Sequence, residues 1–132
     1  MPKLKLAYLV DDNDITQFIS LKAMELTEKV EEVKCFKNGE DALKALLNNT
    51  TALPELILLD LHMPVMDGWE FIEQFDTLTT SIKEKIKLVI LTSSLNSKEK
   101  EFLQSHSYIL DYVVKPITTK QFTLILSAIN QV

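Results

Sequence analysis

The sequence contains no arginine, because all 14 of its basic residues are lysines; with 19 acidic residues the net charge is −5. Arginine supplies the planar guanidinium group that reads guanine edges and binds phosphate in a bidentate manner. A net negative charge also opposes binding to the phosphate backbone of nucleic acids. We therefore expect no nucleic acid among the partners of this chain.

Glycine is scarce as well, with only Gly39 and Gly68 in the whole chain. A dinucleotide-binding loop of the form G-x-G-x-x-G needs three closely spaced glycines, and the Walker A loop needs a glycine pair followed by lysine. Neither motif occurs in this sequence. Binding of a dinucleotide or of a nucleoside triphosphate by these loops is excluded.

Cysteine occurs once, at Cys35. A single cysteine cannot form an internal disulfide, and no residues near it have the spacing of a metal site. This use of cysteine is typical of a protein in the reducing cytoplasm. We expect Cys35 to be a small residue in the core, on a strand, rather than a reactive thiol.

Long hydrophobic runs are missing, although 46% of the residues are hydrophobic. A membrane-spanning helix needs about 20 consecutive apolar residues, and the apolar stretch near the N-terminus reaches Asp11 too early for a signal peptide. We expect no membrane insertion and a cytoplasmic location. The length of 132 residues predicts a single domain spanning residues 1–132.

Short apolar runs alternate with amphipathic segments five times along the chain. Runs this apolar are typical of strands that are covered on both faces, as in a parallel sheet with helices on each side. The pattern predicts an α/β fold of the (βα)5 doubly wound type. The five predicted strands are Leu6–Val10, Val33–Phe36, Leu56–Leu59, Lys87–Leu91 and Tyr112–Val114.

The first predicted helix follows the first strand, with Asp14 as its N-cap. Its apolar residues recur at helical spacing, which predicts an amphipathic helix with one apolar face against the sheet. These residues are Ile15, Phe18, Ile19, Ala23 and Leu26.

Polar residues follow four of the five predicted strands. Ligands of open α/β sheets bind at the carboxyl ends of the strands, so we expect these residues to form one pocket. Two unit charges about 4 Å apart repel by about 4 kcal/mol at an effective dielectric of ~20, so the carboxylates need a cation. The residues are Asp11, Asp12, Asp60, Thr92, Ser93 and Lys115.

The side chains of this pocket predict which ion and which class of substrate it binds. Carboxylates without clustered histidine or thiol select a hard cation, and few protein ligands with room for water favour Mg²⁺ over Ca²⁺. Lys115 adds a positive charge and Thr92 adds a hydroxyl donor. Such a set suits an anionic group with several oxygens, namely a phosphoryl group.

Five motifs in this order resemble the receiver domains of two-component response regulators, including those of chemotaxis. They are Asp11-Asp12, Asp60 with Met63-Pro64 and Asp67-Gly68 behind it, Thr92-Ser93, Tyr112, and Lys115-Pro116. The resemblance covers essentially the whole chain. It implies a flavodoxin-like strand order of 2-1-3-4-5. It also implies a phospho-accepting signalling domain rather than an enzyme.

The resemblance assigns roles to the residues of the pocket. Asp60 would accept a phosphoryl group from a histidine kinase or a histidine phosphotransfer protein. Asp12 would bind Mg²⁺ directly and Asp11 through water, while Asp60 and the backbone carbonyl of His62 complete the protein ligands. The pathway is then a two-component system or a phosphorelay.

The resemblance further implies how the signal leaves the pocket. Thr92, Ser93 and Lys115 would bind the phosphoryl oxygens, and Tyr112 would turn inward as Thr92 moves. A cis peptide is expected between Lys115 and Pro116, as an X-Pro bond permits. The surface made by the fourth helix, fifth strand and fifth helix would bind a downstream protein, with the chain a monomer or a weak phosphorylation-dependent dimer.

Two other functions remain open from the sequence. The first is a phosphohydrolase of the haloacid-dehalogenase kind, which also uses an aspartate nucleophile, Mg²⁺ and a lysine. That class wants a second acid two residues after the nucleophile, where this chain has His62. The second is a binding module that works without phosphorylation. Because the chain ends at Val132, soon after the last predicted helix, we expect a stand-alone receiver or one domain of a longer protein.

Overall fold

The computed structural model describes residues 3–48, 52–93 and 96–130, so the ends of the predicted domain 1–132 lie outside the described residues. Strands alternate with helices along the chain. The strands are β1 (Leu4–Val10), β2 (Val30–Phe36), β3 (Leu56–Asp60), β4 (Lys87–Thr92) and β5 (Ile109–Val114). The helices are α1 (Asp14–Leu26), α2 (Gly39–Asn48), α3 (Gly68–Asp76), α4 (Thr80–Lys85), α5 (Ser97–Gln104) and α6 (Thr119–Asn130).

The five strands form one parallel sheet in the order β2-β1-β3-β4-β5. This is the order that the resemblance implied, and the five predicted strands are confirmed with small differences at their ends. β3 lies at the centre, and all five of its residues are buried. Its continuous run of apolar residues is explained by helices on both faces of the sheet.

Two hydrophobic cores lie on opposite faces of the sheet. One face is covered by α2, α3 and α5, which contribute Leu46, Phe71 and Leu103. The other face is covered by α1 and α6, which contribute Met24 and Phe122. The fold is therefore doubly wound, and it leaves the carboxyl ends of the strands free to form a site.

The helices differ from the prediction in number and in one cap. Six are present among the described residues, because the short helix α4 lies between α3 and β4. With Ile82 as its one apolar residue, α4 shows no hydrophobic period to predict it. The N-cap of α1 is Asn13 rather than Asp14, since the Asn13 side chain accepts the N–H groups of Ile15 and Thr16. Within the described ranges, no helix is long and apolar enough to cross a membrane.

Most of the predicted apolar stripe of α1 lies outside its buried face, so this part of the prediction is wrong except at Ala23. Ile15, Phe18 and Leu26 are exposed by 72%, 59% and 74%. Ala23 is the one residue of that stripe that is buried, and Ser20 and Met24 complete the buried side. Small residues let the helix approach its neighbours closely, and the N–H of Ile117, in the loop before α6, lies 3.4 Å from Ser20 Oγ. The exposed apolar side of α1 is thus left for another contact.

Cys35 is exposed on β2, so the expectation of a core position is also wrong. β2 is an edge strand, and its outer face is open to solvent where a central strand would be covered. Exposed glutamates occupy the same strand at Glu31 and Glu32. Burial of part of its surface, followed by the charge of Glu25, raises the pKa of the Cys35 thiol, which disfavours the reactive thiolate.

Replacing Tyr8 by phenylalanine is expected to stabilise the protein by about 1 kcal/mol. Tyr8 is fully buried in β1, where its ring centroid lies 4.8 Å from that of Phe36. Its hydroxyl finds no hydrogen-bond partner among the described residues. Burying a hydroxyl without a hydrogen-bond partner lowers the stability of the folded protein, and phenylalanine has no hydroxyl to bury. Urea denaturation of Tyr8→Phe measures the difference.

Tyr108→Phe is the matched control for this substitution. Tyr108 is also buried, but its hydroxyl donates a hydrogen bond to Asp76 Oδ1 at 3.1 Å. Its removal is expected to lower the free energy of unfolding by about 1 kcal/mol. Equal losses in the two variants would contradict the difference in bonding.

Candidate functional site

The ends of β1, β3 and β4 and the residue after β5 bring the predicted site residues to one edge of the sheet. Asp60 is the last residue of β3, and its register partner on β4 is Leu91, one residue before Thr92. The Lys115 N–H donates to the carbonyl oxygen of Thr92 at 3.0 Å, which ties the end of β5 to the end of β4. The parallel order of the strands thus assembles the site from distant parts of the sequence.

Three carboxylates meet at this edge. Asp11, Asp12 and Asp60 each offer one oxygen, and these oxygens all lie within 4.8 Å of one another. Asp11 and Asp60 are buried, with 0% and 1% exposure, while Asp12 is exposed. Hard carboxylate oxygens at this separation, with an opening to solvent at Asp12, fit Mg²⁺ with part of its water shell retained.

Lys115 supplies the positive charge of the site. Its Nζ lies 2.8 Å from Asp60 Oδ2 and 3.7 Å from Asp11 Oδ1. Burial alone lowers the pKa of Lys115, but the hydrogen bond to Asp60 and the charges of the three aspartates outweigh burial and raise the pKa above its ordinary value. The lysine therefore stays charged, and the stability that this gives is present at neutral pH and lost only as the pH rises through the raised pKa.

Asp11 is held by the first turn of α1. Its Oδ2 accepts the hydroxyl of Thr16 at 2.8 Å, and its Oδ1 accepts the N–H of Asn13 at 3.0 Å. The Gln17 amide donates to the carbonyl oxygens of Asp11 and Phe36, both at 3.0 Å, which joins the ends of β1 and β2. The two hydrogen bonds to Asp11 fix the orientation of its carboxylate.

Asn13, Thr16 and Gln17 were not identified from the sequence. Each is a polar residue in or next to the first helical turn, a place where such residues usually serve as caps. Their position directly after the Asp11-Asp12 pair is the one available signal, because the first turn of a helix faces the strand end that precedes it.

Asp60 is positioned by the loop that follows it. Its Oδ1 lies 3.2 Å from the N–H of His62, which points a backbone donor at the carboxylate. Gly68, the first residue of α3, donates its N–H to the carbonyl oxygen of Leu61 at 3.0 Å. A Cβ on Gly68 would meet the backbone oxygen of Asp60 at 2.5 Å. The start of α3 therefore packs directly against the backbone of Asp60, and only glycine leaves room for it.

The remaining predicted residues lie on β4 and β5 or directly after these strands. Thr92 is buried with 1% exposure, whereas the next residue, Ser93, is exposed. Tyr112 is half-buried on β5, with the Lys100 Nζ 5.5 Å from its ring centroid. The peptide between Lys115 and Pro116 is cis.

The sequence and the fold match those of known proteins. Residues 7–127 match the family model described as the response regulator receiver domain. A two-component response regulator from Cytophaga hutchinsonii has a solved structure with a TM-score of 0.91 to this chain at 27% identity, covering 98% of this chain and 99% of that one. The bacteriophytochrome response regulator AtBRR has a TM-score of 0.79 at 29% identity, covering 98% and 94%.

A curated relative shows the same domain inside a longer protein. A protein-glutamate methylesterase/protein-glutamine glutaminase of Halalkalibacterium halodurans is 31% identical over 110 residues, which are 82% of this chain but 29% of the length of that protein. The chain thus spans less than a third of this relative. The strand order, the three aspartates at the strand ends and the match over residues 7–127 lead to one conclusion: the chain belongs to the receiver domain family of two-component response regulators.

Proposed function

We propose that residues 1–132 act as one receiver domain, in which Asp60 accepts a phosphoryl group from a phosphohistidine of a histidine kinase or histidine phosphotransfer protein. The observation that carries this proposal is the arrangement around Asp60: two further aspartates with an oxygen within 4.8 Å, and the Lys115 ammonium at 2.8 Å. An acidic cluster alone is common. A buried carboxylate that shares its pocket with a charged lysine has the groups for phosphoryl transfer.

In the proposed reaction a carboxylate oxygen of Asp60 attacks the phosphorus atom, the bond between phosphorus and the histidine nitrogen breaks, and an acyl phosphate forms. Lys115 stays protonated throughout and donates to the transferred group. Mg²⁺, held by Asp11, Asp12, Asp60 and the backbone carbonyl of His62, would neutralise negative charge on that group. Thr92 and Ser93 supply hydroxyl donors at the neighbouring strand end.

The phosphoryl group then changes the surface made by α5, β5 and α6. A phosphorylated Asp60 adds negative charge close to Thr92 and Lys115, and new charge-assisted hydrogen bonds shift the balance between two packings. Tyr112 is placed to follow this change, because it lies on β5 next to a shallow cavity of about 230 Å³ that α6 lines with Leu124. Leu124 is 62% exposed. This surface is the proposed contact for a downstream protein or for a weak dimer.

The phosphodonor is proposed to dock on the exposed apolar side of α1. Phe18, Ile19 and Leu26 line a cavity of about 390 Å³ together with Pro116 and Ile117. Pro116 directly follows Lys115, so a protein bound at this surface reaches the rim of the phosphorylation site. This contact accounts for apolar residues that α1 does not bury in the core.

The other functions are less well supported. A haloacid-dehalogenase-like hydrolase needs a second acid two residues after the nucleophile, where this chain has His62. The family and the fold are also those of receivers. The methylesterase activity in the name of the curated relative belongs to that longer protein. We propose a signalling domain that is not an enzyme beyond its own phosphorylation and dephosphorylation, located in the cytoplasm.

Incubation with acetyl phosphate and Mg²⁺ tests the proposed function. We expect the mass of the intact protein, measured after an acid quench, to rise by one phosphoryl group. Removal of the metal by a chelator is expected to slow labelling by about tenfold or more, since the three aspartates then keep their mutual repulsion.

Two results would contradict the proposal. Many turnovers of a phosphomonoester such as p-nitrophenyl phosphate would favour the hydrolase. Complete absence of labelling in the presence of Mg²⁺ would favour a binding module that works without phosphorylation.

A further inference from the structure

A groove runs between α3 and α5, outside the phosphorylation site. It has a volume of about 440 Å³ and is lined by Trp69, Ile72, Glu73, Asp76, Phe102 and His106. Nothing in the proposed phosphorylation chemistry uses these side chains. Three of these six side chains are aromatic rings and two are carboxylates. An ordinary solvated helix surface carries fewer aromatic side chains.

The aromatic rings form a continuous wall. The ring centroids of Trp69 and Phe102 lie 5.5 Å apart, and those of Phe102 and His106 lie 4.8 Å apart. His106 in turn lies 5.5 Å from the ring of Tyr108, which is buried beneath the groove. Phe102, a large apolar side chain, is 47% exposed. Exposed aromatic surface of this kind favours contact with a partner.

The carboxylates give the groove a charge preference. Asp76 accepts the Tyr108 hydroxyl at 3.1 Å and lies 3.9 Å from the Lys83 Nζ, so its charge is partly balanced. Glu73 forms no ion pair among residues 3–48, 52–93 and 96–130. An ammonium or guanidinium group in the groove would meet Glu73 and the faces of Trp69 and Phe102 together, which combines a charged hydrogen bond with a cation–π contact.

We propose that this groove binds a basic amphipathic helix of a protein partner, with a lysine or arginine side chain at Glu73 and apolar side chains against Trp69 and Phe102. A trough between two helices accepts a third helix along its length, whereas a small cation would use only one end of it. The charge complementarity selects a basic partner over an acidic one.

The groove is also connected to the phosphorylation site through both of its walls. α3 begins at Gly68, whose N–H is bonded to Leu61, the residue after Asp60. α5 follows β4, which ends at Thr92. A change at the two strand ends therefore changes the spacing of the walls, and affinity in the groove is coupled reciprocally to phosphorylation. This coupling, unlike the binding itself, rests on the proposed function.

The experiment uses Trp69 as the probe, because it is the one tryptophan in the sequence. The whole chain is titrated with a short acetylated and amidated helical peptide that carries leucine on one face and lysine on the other. The comparison peptide has glutamate in place of lysine. We expect a saturable change in Trp69 fluorescence with the lysine peptide and at least about tenfold weaker binding of the glutamate peptide.

Variants separate the groove from the general negative charge of the protein. Glu73→Gln and Phe102→Ala are each expected to weaken binding of the lysine peptide by about tenfold, measured by calorimetry as well as fluorescence. Glu31→Gln is the matched control, since it removes the same charge from an exposed position on β2, and its affinity should equal that of the wild type. Equal weakening in Glu31→Gln and Glu73→Gln would overturn the proposal.

Two further measurements test whether the groove binds a small cation instead and whether its affinity depends on phosphorylation. If tetramethylammonium displaces the peptide at equal concentration, the groove is a small-cation site and the protein partner is overturned. After labelling with acetyl phosphate, the peptide affinity should change by about fivefold or more, which is the lower end of typical couplings. Labelled protein with unchanged affinity would overturn the coupling. If no label is taken up, the proposed function fails while the binding result stands.

Discussion

Asp60→Asn is expected to take up no phosphoryl group from acetyl phosphate under conditions that label the wild-type protein fully. The asparagine amide has no anionic oxygen to attack phosphorus, and it removes the carboxylate that Lys115 contacts at 2.8 Å. Two other carboxylates lie nearby, but Asp11 already accepts hydrogen bonds on both oxygens, from Thr16 and Asn13, and Asp12 is exposed, so we expect neither to replace Asp60. Intact-protein mass spectrometry measures the loss, with background labelling as the expected value.

Asp14→Asn is the matched control for this substitution. Asp14 lies close to the pocket in sequence, but its side chain is 75% exposed and paired with Lys37 at 2.9 Å. The same chemical change there is expected to leave labelling unchanged. Thermal denaturation of both variants checks that the fold is retained. We expect Asp60→Asn to stay folded, because the substitution relieves repulsion between carboxylates. Full labelling of Asp60→Asn would place the phosphoryl acceptor elsewhere and contradict the proposed function.

Gly68→Ala is expected to lower the free energy of unfolding by about 3 kcal/mol. The new methyl group would lie 2.5 Å from the Asp60 carbonyl oxygen and 2.7 Å from the Leu61 Cα, and neither backbone atom can rotate away. The strand end must shift instead, which also displaces the Asp60 carboxylate. Labelling by acetyl phosphate is expected to slow by about tenfold or more, since small misplacements of reacting groups are costly. Urea denaturation and the labelling rate are the two measurements.

Gly39→Ala is the control that separates crowding from helix propensity. Gly39 also begins a helix, α2, so the same alanine gains the same propensity there. Its methyl group would meet the Met66 carbonyl oxygen at 2.9 Å and the flexible Met66 side chain at 3.1 Å. The Met66 backbone must shift slightly to admit the methyl group, so we expect a loss of about 1 kcal/mol, smaller than at Gly68, with little effect on labelling. Equal losses in the free energy of unfolding at the two glycines would contradict the argument that close packing against Asp60 makes Gly68 the more sensitive position.

The position of the site could be predicted from the sequence because it depends on strand ends alone. Each of Asp11, Asp60 and Thr92 ends or directly follows a buried apolar run, and parallel strands place such ends at one edge. No knowledge of side-chain packing was needed. The five motifs in order then predicted the family, and the match over residues 7–127 confirms it.

The hydrogen bonds around Asp11 could not be predicted in the same way. They depend on how α1 sits over the end of β1, which places Thr16 and Gln17 within bonding distance of one residue. Sequence spacing gives the turn of the helix on which they lie, but it does not give the rotation of that helix against the sheet.

The wrong prediction for α1 has the same origin. A stripe of large apolar residues identifies one side of a helix, and burial in the core is only the commonest use of such a side. In α1 the close approach of the loop before α6 selects Ser20 and Ala23 for burial, and Phe18 is left outside. These exposed apolar residues of α1 are the surface proposed above for docking of the phosphodonor.

The edge position of β2 bears on how copies of the protein behave when they are crowded together. An edge strand offers its backbone groups to any second strand, and sheet extension of this kind is a common start of aggregation. Glu31 and Glu32 on β2 would face the same acids of an incoming copy, so docking of two such edges brings like charges together. The strand therefore discourages the pairing of two β2 edges when the protein is concentrated.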